Sequence, residues 1–173
     1  MTSDQTIDWP EFVKVINNHN NFLLVSHVRP DCDALGSELG MAGVLEALGK
    51  QVRIVNGHPT PPNLDFIDPE EKIQAINEDV QPDELNDIDC LMILDTSAWQ
   101  QLGPMRPVIE ASNATKIILD HHVSEDDLGA TPFKNTTAEA TGRLVVEAAE
   151  RDQQKRSDLP LLPLRADMDA LHI

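Results

Sequence analysis

Phe22-Leu23-Leu24-Val25-Ser26-His27-Val28-Arg29-Pro30-Asp31-Cys32-Asp33 is an unbroken apolar run that passes directly into a polar, charged loop. Such a run marks a strand buried on both faces, as in the middle of a parallel sheet. Beyond the loop, Leu35, Leu39, Ala42, Leu45 and Leu48 recur at helical spacing until Gly49 stops the helix. Residues 52–55 form a second strand, Leu91-Met92-Ile93-Leu94 a third and Ile117-Ile118-Leu119 a fourth. Upstream, Asp8-Trp9-Pro10-Glu11 reads as a helix start. Asp8 is its cap, Glu11 closes a capping box, Pro10 sits in the tolerated first turn, and the helix should run to about Asn18. Downstream, Thr136 and Glu139 read as a capping box for a helix over 138–151, with Leu144, Val145 and Ala148 as its apolar stripe. The proline-rich stretch 57–63 is a loop, and the acidic stretch 64–89 has no pattern that places an element. Short apolar strands alternating with amphipathic helices predict an α/β domain, three layers around a mainly parallel central sheet.

A length of 173 residues suits one domain with a proper core. Aromatic residues are only 3% of the chain, which excludes a stacking platform for single-stranded nucleic acid. The formal net charge of −17 repels a nucleic-acid backbone, so no extended nucleic-acid surface is expected. A small phosphorylated substrate or a short RNA remains compatible if bound cations reverse the sign locally. The first ten residues have neither a basic segment nor an apolar one, and no run approaches the roughly 20 apolar residues that span a bilayer. Cys32 and Cys90 have no framework spacing. A cytoplasmic protein with free thiols and no membrane partner is the expectation.

Three of the buried strands end alike. Residues 22–25 lead into Ser26-His27 and then Asp31 and Asp33; 91–94 lead into Asp95; 117–119 lead into Asp120-His121-His122. In open parallel sheets the loops at the carboxyl ends of the strands build the site. Carboxylates gathered there repel and raise one another's pKa, a conflict that divalent cations remove. Mixed carboxylate and imidazole donors suit Mn²⁺ best, with Mg²⁺, Fe²⁺ or Co²⁺ as weaker candidates, and the lack of cysteine pairs argues against structural zinc. Singly, each residue has a plainer role: Asp33 could cap the following helix, and a His-His pair is commonly surface. Their joint occurrence at three strand ends points to a metal site. Cys32, between two candidate ligands, reads as a small loop residue.

These residues resemble the motifs of a known family. His27-Val28-Arg29-Pro30-Asp31-Cys32-Asp33-Ala34-Leu35-Gly36-Ser37 resembles the first motif of the DHH phosphoesterases, Leu94-Asp95-Thr96 the second, and Asp120-His121-His122 the triplet that names them. Within the family the chain looks most like the bacterial branch that cleaves short oligoribonucleotides and 3′-phosphoadenosine-5′-phosphate; the resemblance covers about residues 9–152. It implies a phosphoesterase with two divalent cations. His27 and Asp31 would hold the first, Asp33 and His121 the second, and Asp95 would bridge both. Asp120 would orient an imidazole, and His122 would face the phosphate. Gly36 and Ser37 would let the backbone approach the substrate near a helix start. Two departures stand out. The position of Cys32 is commonly glycine. The family's fourth motif, an Asp soon after the helix ending near Arg151, has no counterpart in its usual context, which leaves the second metal site incomplete; Asp158, Asp167 and Asp169 are weak substitutes. The C-terminal DHHA1 domain is also missing. The expectation is therefore a DHH domain over 1–155, incomplete at its end, and an atypical tail over 156–173 that reads as truncated or out of frame. A chain without its second domain would expose apolar surface and self-associate. The competing functional readings are a degenerate domain that binds metal and nucleotide without efficient catalysis, and a pyrophosphatase-like activity.

Overall fold

A computed structural model describes residues 6–155, which form a six-stranded sheet with every strand parallel to its neighbours. The elements are α1 (Trp9–Asn18), β1 (Asn21–Val25), α2 (Cys32–Ala47), β2 (Gln51–Asn56), β3 (Ile73–Ala75), β4 (Cys90–Leu94), α3 (Arg106–Ala111), β5 (Thr115–Asp120), β6 (Thr131–Lys134) and α4 (Thr141–Lys155). The order across the sheet is β3-β2-β1-β4-β5-β6. This is the doubly wound arrangement, in which the winding reverses between β1 and β4 and opens a crevice at their carboxyl ends. The tail 156–173, with Asp158, Asp167 and Asp169, lies outside the described residues.

Strand alternation splits the core into two. Phe22 and Leu24 of β1, Met92 and Leu94 of β4 and Ile117 and Leu119 of β5 face α1, α2 and α4, where Phe12, Ile16, Leu45 and Leu144 meet them. Leu23, Val25, Leu91, Ile93 and Ile118 face the other way, against Leu102, Met105, Ile109 and Leu128. Both faces are dry, which is why these strands read as continuous apolar runs. Each such side chain contributes about 1.5–3 kcal/mol when fully buried. Asp8 caps α1 through the Glu11 amide (3.0 Å), and Gly49 ends α2 in the left-handed region at φ +78°.

The structure adds two strands, both at the sheet edges: β3, within the stretch that had no readable pattern, and β6. It also corrects the start of α4. Thr136–Glu139 is a turn, not a capping box: Thr137 bonds Asn135, Glu139 pairs with Arg143, and the helix begins at Thr141. Among the described residues no helix is long and apolar enough to cross a membrane, and both cysteines are free, Cys32 exposed and Cys90 buried with its thiol pushed up to about 12 by that burial.

Candidate metal centre

The carboxyl ends of β1, β4 and β5 meet on Asp95. This residue is 2% exposed and takes a left-handed backbone at φ +63°, which an L-residue adopts at a cost of about 1–2 kcal/mol. The turn folds its carboxylate back into the crevice. His27 Nε2 stands 3.5 Å from Asp95 Oδ2, and His121 Nε2 stands 3.4 Å from Oδ1. The tautomers follow from the partners of the other ring nitrogens. His27 Nδ1 donates to the Val28 carbonyl (3.0 Å) and His121 Nδ1 to the Ala138 carbonyl (3.2 Å). Carbonyls only accept, so each Nδ1 carries a proton and each Nε2 is the atom that could ligate a cation.

The other expected residues lie around this pair of imidazoles. Asp31 Oδ1 is 3.9 Å from His27 Nε2 while also capping α2 through the Ala34 amide (3.0 Å). The cap thus falls to Asp31 and not to Asp33. Asp33 Oδ2 is 3.6 Å from His121 Nε2. His27, Asp31 and Asp95 present ligand atoms within 4.8 Å of one another, and so do Asp95, His121 and His122. The second grouping brings in His122 where the sequence placed Asp33. Nε2 atoms and carboxylate oxygens gathered this closely could hold divalent cations. In the metal-free chain the Asp95 carboxylate holds His27 well above the usual imidazole range, to about 9, against the lowering effect of burial.

Asp120 is fully buried and reaches the group through His122. Its Oδ1 accepts from His122 Nδ1 (2.7 Å) and the His122 amide (3.1 Å), and its Oδ2 accepts from Ser97 Oγ (2.5 Å). Burial pushes its pKa up, but the bonds from Ser97 and His122 outweigh that and hold it below the usual carboxylate range. Lys134 Nζ, almost buried at the end of β6, lies 3.5 Å from Oδ2. His122 is thereby fixed through Nδ1, with the ring half exposed.

Several participants were not read from the sequence. The first amides of α4 grip Asp33: Thr141 N–H reaches Oδ2 (2.9 Å) and Gly142 N–H reaches Oδ1 (2.8 Å), while Thr141 Oγ donates to Asp95 Oδ1 (2.9 Å). Behind β1, Glu38 Oε2 accepts from Asn56 Nδ2 (2.9 Å), and Asn56 Oδ1 accepts from the Ser26 amide (2.9 Å). Of the residues expected at the substrate, Gly36 is exposed with open space beside it, whereas Ser37 is buried and donates to Asp33 Oδ1 (3.4 Å). In this arrangement the Ser37 hydroxyl serves a carboxylate. Strand-end position was the signal that could have found Lys134, had β6 been recognised.

With this geometry in view, the comparisons with known proteins agree. The DHH family, N-terminal domain, matches residues 21–171. The chain belongs to the DHH family. Curated relatives include the bifunctional oligoribonuclease and PAP phosphatase NrnA of Bacillus subtilis (strain 168), 25% identical over 137 residues, which are 79% of this chain and 40% of that protein. The NrnA of Mycoplasma pneumoniae (strain ATCC 29342 / M129 / Subtype 1) is 29% identical over 151 residues, 85% of this chain and 44% of the relative. The DHH chain therefore spans about two fifths of the length of these relatives. Among solved structures, an exopolyphosphatase-related protein from Bacteroides fragilis superposes with a TM-score of 0.76 at 26% identity, over 83% of this chain and 43% of that one.

Proposed function

We propose that this DHH domain is a divalent-metal-dependent phosphoesterase that hydrolyses short oligoribonucleotides or 3′-phosphoadenosine-5′-phosphate. The observation that carries this reading is Asp95, buried, backbone-strained and flanked on both carboxylate oxygens by imidazole Nε2 atoms. His27 and Asp31 would hold one cation, His121 and Asp33 the other, with Asp95 shared. Two Mn²⁺ ions, or Mg²⁺ or Co²⁺ in their place, would supply Lewis acidity and a more acidic water. The protein's part is positioning. The α4 amides and Thr141 keep Asp33 and Asp95 aimed before any cation arrives. Asp120, held ionised by Ser97 and His122 and faced by Lys134, fixes His122 so that its Nε2 meets the substrate. From there it steadies the phosphate or hands a proton to the leaving oxygen. The names of the NrnA relatives supply the substrate class, and the charge of −17 agrees with small substrates over long polyanions.

The test is Mn²⁺-dependent release of nucleoside monophosphate from a diribonucleotide, alongside phosphate release from 3′-phosphoadenosine-5′-phosphate. Activity that survives Asp95→Asn sinks the mechanism. The second reading is a domain that binds metal and nucleotide without efficient turnover. It predicts Mn²⁺ binding near one equivalent with no hydrolysis of any phosphodiester.

A further inference from the structure

We infer that Arg29 is a specificity residue, binding a second phosphate of the substrate at the rim of the metal centre, beside the phosphate that is cleaved. The inference rests on the phosphoesterase reading above. Arg29 lies on the loop between His27 and Asp31, two residues from each. Its backbone is left-handed at φ +51°, a conformation a non-glycine residue holds only where its surroundings impose it. Those surroundings are visible on one side and the other. Val28 is pinned by its amide to the Gln101 carbonyl (2.7 Å), and its side chain fills the space where Cβ atoms at Gly57 and Gly103 would stand (3.2 and 2.6 Å from Val28 Cγ1). Pro30 is buried. Between two anchored neighbours, Arg29 alone is exposed.

The disposition of charge singles it out further. Lys14, Lys72, Arg106, Lys134 and Arg143 pair with acidic side chains, and Lys50, Arg53 and Lys116 donate to backbone carbonyls. Among the described residues whose side chains are placed, only Arg29 and Arg151 have no such partner. Asp31 is close in sequence, yet its carboxylate is directed to the Ala34 amide and His27, not to Arg29. Arg151 sits on α4 ten residues beyond Thr141, about 15 Å along the helix from the end that touches Asp33. In a chain of net charge −17, an uncommitted guanidinium on a backbone held between two candidate ligands is a ready partner for a phosphate. Its place in the loop, two residues from His27 and two from Asp31, and its exposure against 2% for Asp95 suit it to the non-reacting phosphate of a 3′,5′-bisphosphate or a 5′-phosphorylated dinucleotide.

The test uses the full chain with Arg29→Ala, Arg29→Lys and, as control, Arg151→Ala. Steady-state kinetics with Mn²⁺ are measured on adenosine 3′,5′-bisphosphate and on the monophosphate p-nitrophenyl phosphate. Arg29→Ala should raise KM for the bisphosphate about tenfold or more while leaving kcat and the monophosphate KM unchanged. Arg29→Lys should lie between, and Arg151→Ala should match the parent. Calorimetric Mn²⁺ affinity should not move, which separates a substrate contact from a disturbed ligand loop. Equal KM losses on both substrates, no change in KM, or a loss in kcat alone would each overturn the inference. If the parent chain turns over neither substrate, the phosphoesterase reading fails. Equilibrium dialysis of the bisphosphate then still decides Arg29: a tenfold loss of affinity in Arg29→Ala supports it, and equal affinity refutes it.

Discussion

His27 keeps a second proton, on Nε2, up to about pH 9 because the buried Asp95 carboxylate stands 3.5 Å away, an attraction that outweighs the lowering effect of burial. A cation entering between them must displace that proton. Metal binding is therefore expected to release about one proton below pH 9, and apparent affinity should fall about tenfold for each pH unit of acidification. Calorimetric titration of Mn²⁺ at pH 7 in buffers of different ionisation enthalpy measures the release; a value near zero would mean the cation does not use His27. Glu38 illustrates the opposite case, a titratable group that no ligand needs. It is fully buried, Oε1 has no hydrogen-bond partner, and burial raises its pKa from 4.5 to about 8. The sign follows directly. A folded-state pKa above the unfolded one favours the protonated form, so this contribution to stability is complete below about pH 4.5 and is lost as pH rises towards 8. Glu38→Gln keeps an acceptor for Asn56 and removes the charge. Its unfolding free energy relative to the parent should grow between pH 5 and pH 8, at up to about 1.4 kcal/mol per pH unit. Denaturant unfolding at the two pH values reads it, and a constant difference would mean that Glu38 is not protonated in the fold.

Of the four central strands, β1, β4 and β5 were legible because both of their faces are dry, which leaves no polar residue to break the apolar run, whereas in β2 Arg53 interrupts it. The edge strands carry less of that signal. Thr131-Pro132-Phe133-Lys134 contains a proline that argues against a strand, yet an edge strand tolerates one because it has a neighbour on only one side. Ile73-Gln74-Ala75 is too short to show alternation. The false capping box at Thr136 has a different cause. The pattern Thr-x-x-Glu is local, but the start of α4 is decided by a distant carboxylate, Asp33, which takes the amides of Thr141 and Gly142. The candidate ligands His27, Asp31, Asp33 and Asp95 and the triplet Asp120-His121-His122 could be read for the complementary reason that strand ends are marked by a change from apolar to charged. Their supports, Thr141, Gly142 and Lys134, could not, since each depends on a contact across the fold. The α4 end yields a prediction of its own. A Cβ on Gly142 would stand 3.2 Å from Asp33 Oδ1, so Gly142→Ala must shift that carboxylate by a few tenths of an ångström. Alanine is meanwhile the better helix residue, by up to about 1 kcal/mol. Thermal stability of the metal-free chain should hold or rise while Mn²⁺ affinity falls about 10- to 100-fold. A parallel loss of both would show that the substitution damages packing and not the ligand.

At the scale of the molecule, strand order and charge act together. The order 3-2-1-4-5-6 opens its crevice between β1 and β4, and the chain places His27 and Asp95 on opposite sides of that opening, with the β5 triplet beside them. Acidic residues thus converge where the fold leaves a gap, in a protein whose net charge is already −17. Repulsion among carboxylates opposes the compact state until a cation joins them, so folding and metal binding are linked. At a cation concentration of about 100 times Kd the linkage is worth about 2.7 kcal/mol, or roughly 5–10 °C in Tm for a chain of this size. Imidazole donors favour Mn²⁺ over Mg²⁺ and Ca²⁺, whose preference is for oxygen. Thermal denaturation of the metal-free chain should therefore show the largest upward shift with Mn²⁺ and smaller ones with Mg²⁺ and Ca²⁺ at equal concentration. Chelation should reverse it, and Asp95→Asn should abolish most of it. An equal shift with all three ions, or one retained in Asp95→Asn, would instead mean that the cations only screen the acidic surface, and the converging strand ends would lose their standing as a metal centre.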